Sequence, residues 1–208
     1  AFTRARRLTM RVETGPMKRT DEELMAALAL GDMEALQVLY RRHSKLVYRV
    51  SLKFIGHRED ALDLTQALFT DLVTLAPKYR SEGEVTTWLY RVTMNRCLNW
   101  AKSAGRRRRA PLKEEDLERG WARLQDLGAG EPWGGGGEPH QALERKQRWE
   151  AMERAFSELP PRQKLALTLK AFEGLSYHEI ATAMETSRSS VESLLVRARR
   201  KLSEALER

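Results

Sequence analysis

A helical pattern runs along this chain in two blocks, and the segment between them cannot build a core. Residues 110–140 hold Pro111, Pro132, Pro139 and the run Gly134 to Gly137. Their charged residues are Glu114, Glu115, Asp116, Glu118, Asp126, Glu131 and Glu138 against Lys113, Arg119 and Arg123, seven acidic and three basic for a net of −4. Such a segment buries too little apolar surface to offset the entropy of ordering. With the four arginines of 106–109 it is read as a flexible acidic linker over 106–140, with a short helix expected near 114–124. Two domains follow, 20–105 and 141–208, and residues 1–19 form a flexible N-terminal arm.

Each block repeats apolar residues at helical spacing. Thr20 with Glu23 has the form of a capping box, in which hydroxyl and carboxylate satisfy free amides of the first turn. It opens a helix through Leu24, Ala27 and Leu28 that Gly31 closes. Asp32 caps a second helix with Leu36, Leu39, Tyr40, Leu46, Val47 and Val50 on one face, ended by Gly56. A third runs from about Arg58 to Pro77, and a fourth from about Thr86 to Gly105. In the second block Leu143, Trp149, Met152 and Phe156 line a helix from about Gln141 that Pro160 and Pro161 end. Leu165, Ala166, Leu169 and Phe172 line the next, closed by Gly174. Ser176 and Glu179 form a second capping box and open a short helix to Met184. The last helix buries Val191, Leu194, Leu195, Ala198 and Leu202. Nothing reads as strand. The fold class is all-α: two small helical bundle domains, each with its own core, the C-terminal one a helix-turn-helix.

Several chemistries are excluded. Cys97 is the only cysteine, so no internal disulfide and no cysteine-rich zinc site is possible. His43, His57, His140 and His178 show no paired ligand spacing, and no metal or cofactor is expected. Glu59, Asp60 and Asp63, with Gln66, invite an acid–base or metal reading on the third helix. No histidine, phosphate loop or nucleophile accompanies them, so they read as a polar face, either solvated or docked on a protein. No apolar run has bilayer-spanning length and no signal peptide is visible. The expectation is a cytoplasmic protein with no direct membrane insertion, no small-molecule substrate and no enzymatic activity. The net charge of +8 suits a polyanionic partner.

Two segments point to nucleic acid. Residues 174–202, GLSYHEIATAMETSRSSVESLLVRARRKL, pair a short capped helix with a basic one through a tight turn. In a helix-turn-helix the second helix enters the major groove, N-terminal residues foremost. The residues offered there are Arg188, Ser189, Ser190, Glu192, Ser193, Arg197 and Arg199. Arginine pairs in bidentate fashion with guanine, and a glutamate accepts from cytosine. The alternative is an ordinary helical hairpin with a solvated charged face. Residues 78–109, KYRSEGEVTTWLYRVTMNRCLNWAKSAGRRRR, interleave aromatic and basic side chains. Tyr79, Trp88 and Tyr90 offer stacking surfaces, while Arg91, Arg96, Lys102 and Arg106 to Arg109 can follow phosphates, as on single-strand platforms. For any single tryptophan in a helical stripe the competing reading is core packing, which is the reading given to Trp100.

Together these segments resemble the extracytoplasmic-function sigma factors. The likeness covers about residues 20–206 outside the linker. DEELMAALALGDMEALQVLYRRHSKLVYRV, ALDLTQALF and TTWLYRVTMNRCLNW are similar to sigma region 2, and ELPPRQKLALTLKAFEGLSYHEIATAMETSRSSVESLLVRARRKL to region 4. The resemblance implies a sigma factor that binds core RNA polymerase and opens promoter DNA. It implies polymerase docking through Asp63, Leu64 and Gln66. It implies minus-ten recognition through Tyr79, Arg80, Ser81, Glu82, Thr87, Trp88, Arg91 and Asn95, with a flipped base held by the 79–87 loop and melting nucleated at Trp88. Minus-thirty-five recognition falls to the last helix, the linker threads polymerase channels, and an anti-sigma factor is an implied partner. Ala61-Leu62-Asp63-Leu64 and Ala67 depart from the family's more acidic docking segment, and Glu192 stands where many members carry arginine.

Two other readings compete. A stand-alone helix-turn-helix regulator would bind an operator without polymerase, usually as a dimer on spaced half-sites. A metal-dependent enzyme acting through Glu59, Asp60 and Asp63 lacks a supporting ligand set.

Overall fold

The structure, a computed structural model, describes residues 19–80, 83–103 and 139–206. Residues 1–18 of the arm, the linker up to residue 138 with its expected helix near 114–124, and the candidate residues Ser81 and Glu82 lie outside the described residues. So do the side chains of Leu143 and Trp149. The described residues are helical, with no strand: α1 (Asp21–Ala29), α2 (Met33–Ile55), α3 (Arg58–Leu75), α4 (Val85–Ser103), α5 (Pro139–Ser157), α6 (Pro161–Ala171), α7 (Tyr177–Ala183) and α8 (Arg188–Leu206). None of these is long and apolar enough to cross a membrane.

The sequence signals account for most helix ends. At α1 the Thr20 hydroxyl accepts from the Glu23 amide at 3.2 Å, and the Glu23 carboxylate accepts from the Thr20 amide at 2.8 Å. Asp32 caps α2 by accepting from the amides of Glu34 and Ala35. Arg19, bonded to that carboxylate at 2.8 Å, helps hold its pKa below the usual aspartate value. Gly56 ends α2 at φ 77°, a left-handed position that glycine takes without a Cβ penalty. The expected stop at Pro77 falls slightly differently. The α-helix ends at Leu75, and Pro77 sits inside a 3₁₀ turn, Ala76–Lys78, near whose start a missing amide costs little. By the same logic α5 starts at Pro139, ahead of the expected Gln141.

The first bundle has a core of its own. Leu24 and Leu28 of α1 meet Leu39 of α2, Leu68 and Leu72 of α3 and Leu89 of α4. The second cluster is different from the expectation of one core per half. It joins Val50, Phe54, Tyr90, Met94 and Cys97 of the first block to Met152, Phe156, Leu165, Leu169, Val191 and Leu195 of the second. The two bundles therefore share buried surface. The reason lies in α2 and α4, whose Val50, Phe54, Tyr90, Met94 and Cys97 lie outside the first cluster and are covered by apolar residues of the second block.

Candidate nucleic-acid interface

Three surfaces gather the candidate residues. The first surrounds the turn before α4. A cavity of about 370 Å³ is lined there by Tyr79, Arg80, Thr87, Trp88 and Arg91, with Lys78 and Glu84 beside them. Tyr79 and Trp88 meet edge to face, centroids 5.6 Å apart. The Tyr79 hydroxyl donates to the Gly83 carbonyl at 2.7 Å, which closes the loop on itself. Burial first, then the charges of Glu22 and Asp21, raise the Tyr79 pKa and keep it a neutral donor. Two aromatic rings beside two cations have the chemistry to stack an unpaired base and to hold phosphates.

Five of the eight expected minus-ten residues thus come together. Asn95 does not join them. It is exposed on α4 one turn further on and lines a second groove. Tyr90 is also misplaced by the sequence reading as a stacking surface. It is 7% exposed, faces the second cluster, and gives its hydroxyl to Glu173 at 3.0 Å. Sequence reasoning missed Lys78 and, from the other bundle, Thr182. Lys78 adjoins Tyr79 and was legible as part of the basic run; Thr182 carried no signal.

The second surface is a groove of about 690 Å³ between α3 and α4, lined by Asp60, Asp63, Leu64, Asn95, Arg96 and Trp100 among others. Of the expected docking residues, Asp63 and Leu64 line the groove, Asp63 exposed and Leu64 mostly buried at 8%, and Gln66 is exposed and not among the lining residues. Trp100 is half-buried and packs against the second cluster while also forming the groove wall. Arg96 is tied to Asp71 at 2.5 Å. Among the described residues no group of three or more histidine, cysteine or acidic side chains comes together as a metal site.

The third surface is the start of α8. Ser176 and Glu179 form the expected capping box, at 3.2 and 2.7 Å, and the Ser176 bonds depress the Glu179 pKa. The turn to α8 passes through Glu185 at φ 48°, the one described residue other than glycine with positive φ. Ser187 accepts from the Ser190 amide at 3.2 Å and caps α8. Ser189, Ser190, Ser193 and Arg197 line a hollow of about 480 Å³ together with Arg162 of α6 and Thr186. Arg188 is exposed but bonded to Glu192 at 3.1 Å, so each occupies the other's charge. Arg199 turns back to the Leu195 carbonyl at 3.4 Å, part-buried and one turn beyond the hollow. Arg162 follows Pro160-Pro161 and escaped the sequence reading, since nothing in its spacing ties it to α8.

Comparison with known proteins gives a consistent result. Residues 39–107 match the family described as Sigma-70 region 2, and residues 149–202 that described as Sigma-70, region 4. The chain is 28% identical over 190 residues to RNA polymerase sigma-H factor of Pseudomonas aeruginosa, covering 90% of this chain and 94% of that protein. It is 31% identical over 181 residues to ECF RNA polymerase sigma factor SigE of Mycolicibacterium smegmatis, covering 86% and 65%. To ECF RNA polymerase sigma-E factor of Escherichia coli K12 it is 27% identical over 184 residues, covering 86% and 91%. A solved structure described as CnrH in complex with the cytosolic domain of CnrY shares the fold, at a TM-score of 0.59 and 22% identity over 90% of this chain and 97% of that one.

Proposed function

Because the chain belongs to the sigma-70 family, as an extracytoplasmic-function RNA polymerase sigma factor with regions 2 and 4, we propose that its two bundles divide one promoter between them. Its function is promoter recognition in transcription initiation, with RNA polymerase and promoter DNA as partners. The first bundle receives a flipped base of the minus-ten element in the Tyr79–Trp88 cavity, and Arg80 and Arg91 hold the flanking phosphates. Extraction of a base costs a few kcal/mol of stacking, which a stacked pocket returns. Asp63 and the groove beside it dock on the polymerase, with Leu64 as the apolar floor and Gln66 at the edge. The second bundle reads the minus-thirty-five element with Ser189, Ser190, Ser193 and Arg197, and Arg162 adds a phosphate contact from outside the helix-turn-helix. Arg188 and Glu192 act as a pair, so their contribution to base choice depends on the pair parting. The protein acts by binding, without catalysis of its own, and an anti-sigma protein is its negative partner.

The observation that carries this reading is the pairing of two aromatic rings with cations in one cavity beside the α4 N-terminus. Run-off transcription with core polymerase and a genomic promoter library tests it. Promoter-dependent transcripts are expected. Tight duplex binding without transcription would instead mark a stand-alone regulator.

A further inference from the structure

The outward side of α8 has two flanks. Its buried stripe is Val191, Leu195, Ala198 and Leu202. At about 100° per residue, the exposed Ser189 and Ser193 form a crest opposite that stripe. On one flank of the crest lies the hollow that Arg162 and Arg197 make positive. On the other lie Glu192 and Val196, one helical turn apart.

Val196 is 57% exposed. The other large apolar side chains that stand out into solvent among the described residues, Leu30, Met33, Tyr40 and Leu62, all belong to the first bundle. Leu194 and Leu206 of the same helix pack against the shared cluster, and Val196 is not among the residues that do. Helix formation does not call for it either, because a β-branched side chain loses rotamer freedom in a helix that lysine or arginine keeps. On a helix that enters the major groove, an apolar branch has one favourable partner at the base edges, the C5 methyl group of thymine. The crest cannot supply that discrimination, since a serine hydroxyl bonds to donors and acceptors alike.

Glu192 fixes what this flank faces. Its carboxylate accepts from Arg188 at 3.1 Å. A carboxylate laid along a phosphate backbone is repelled, whereas at a base edge it accepts from an exocyclic amine. The phosphates therefore belong on the flank of Arg162 and Arg197, and the flank of Glu192 and Val196 turns to the bases.

We propose that Val196 is a specificity-determining residue of this protein, packing on the methyl group of a thymine in the upstream element. The inference rests on the reading of α8 as the helix that meets the minus-thirty-five element. Four residues of helix rise about 6 Å, close to two base-pair steps of about 3.4 Å each. The thymine accordingly lies within about two base pairs of the position that Glu192 meets.

The test uses the full chain bound to core polymerase and a promoter recovered from the genomic library. Each thymidine of its upstream element is replaced in turn by deoxyuridine, which removes the methyl group and leaves every hydrogen-bonding atom in place. Competition binding gives the ratio of affinities for the thymidine and deoxyuridine promoters. Wild type is expected to lose roughly fourfold at one position, the worth of one buried carbon. V196S should bind both promoters equally, and V196I should restore the wild-type ratio. A variant that merely folds less well lowers both affinities together and leaves the ratio unchanged. A ratio near one at every thymidine in wild type, or a wild-type ratio in V196S, overturns the proposal, as does a recovered element without thymine. Binding indifferent to scrambling of the whole upstream element overturns the reading of α8, and the role of Val196 with it. Dependence on that element without any methyl effect overturns the role of Val196 alone.

Discussion

The two faces proposed to meet DNA are built on opposite principles. The face at the start of α4 is a pocket: Trp88 and Tyr79 are half-buried, the edge of one ring meets the face of the other, and a neighbouring bundle leans on the rim. The face at the start of α8 is a ridge, with the exposed Ser189, Ser193 and Arg197 along one side of an open hollow that Arg162 also lines. A pocket suits a ligand that must be pulled out of a stack and held. A ridge suits intact duplex, whose major groove admits a helix without distortion. On both faces a carboxylate of the chain holds a cation, Glu185 on Arg91 at the pocket and Glu192 on Arg188 along α8, but only at the pocket does the carboxylate come from the other bundle.

Substitutions at each face should separate these roles, and the largest effect is expected at the pocket. Trp88→Ala removes one of the two aromatic rings of the pocket, so open-complex formation should weaken by about 1–3 kcal/mol, roughly 5- to 150-fold, measured by permanganate reactivity of the melted region. Binding to core polymerase in a competition assay should hardly change. Equal losses in both would reduce Trp88 to a scaffold residue and erase the contrast between the faces. Arg197→Ala should cost roughly 1–3 kcal/mol at the upstream element if the side chain meets a base. Its signature is relaxed discrimination between promoter variants rather than slower melting. A uniform loss across all sequences would assign Arg197 to the phosphates.

The difference between the faces also governed how much of them the sequence could reveal. Local signals were legible because their physics is local. Thr20 with Glu23, Asp32, Gly56, and Ser176 with Glu179 each act within a turn of their own position, and each caps or ends a helix as its chemistry requires. The ridge was legible for the same reason, since exposed positions on one helix follow from the spacing of its buried ones. The pocket was legible only in part. Tyr79, Arg80, Thr87, Trp88 and Arg91 are near neighbours in sequence, but Asn95 lies round the helix, and Tyr90 points the opposite way from Trp88. Glu173 and Glu185 were not legible at all. Their partners are 124 and 94 residues away across the linker, and nothing in a helical period records which bundle face will meet which. Leu143 and Trp149, expected to line α5, have side chains outside the described residues.

Smaller effects sharpen the comparison further. Thr20→Ala and Ser176→Ala each delete a capping hydroxyl, at a cost of about 1 kcal/mol, read as a shift in thermal or urea unfolding. The two caps sit on opposite sides of the interface between the bundles. The buried residues of α1 belong to the first bundle's own core, whereas α7 also packs against α4, next to Arg91 and the cavity. Both variants should lose comparable stability, but only Ser176→Ala should speed Cys97 alkylation under native conditions. Equal acceleration would mean that Cys97 reports general loosening and not the interface.

The mildest perturbation is pH. Burial pushes the Cys97 thiol up to about 12 from an ordinary value of 9.0, and burial with the Glu173 charge likewise raises the Tyr90 hydroxyl above its usual 10.0. Both groups favour the neutral form when folded. Their contribution is therefore complete below the unfolded values and is lost as pH rises through the folded ones. Both lie in the cluster shared by the bundles, and neither lies in the first bundle's own core. Raising the pH from 9 towards 11 should consequently loosen the shared cluster before it touches the first core. Amide exchange across Leu165 to Leu169 should accelerate while exchange across Leu68 to Leu72 holds. Simultaneous acceleration would mean that the two clusters unfold as one unit.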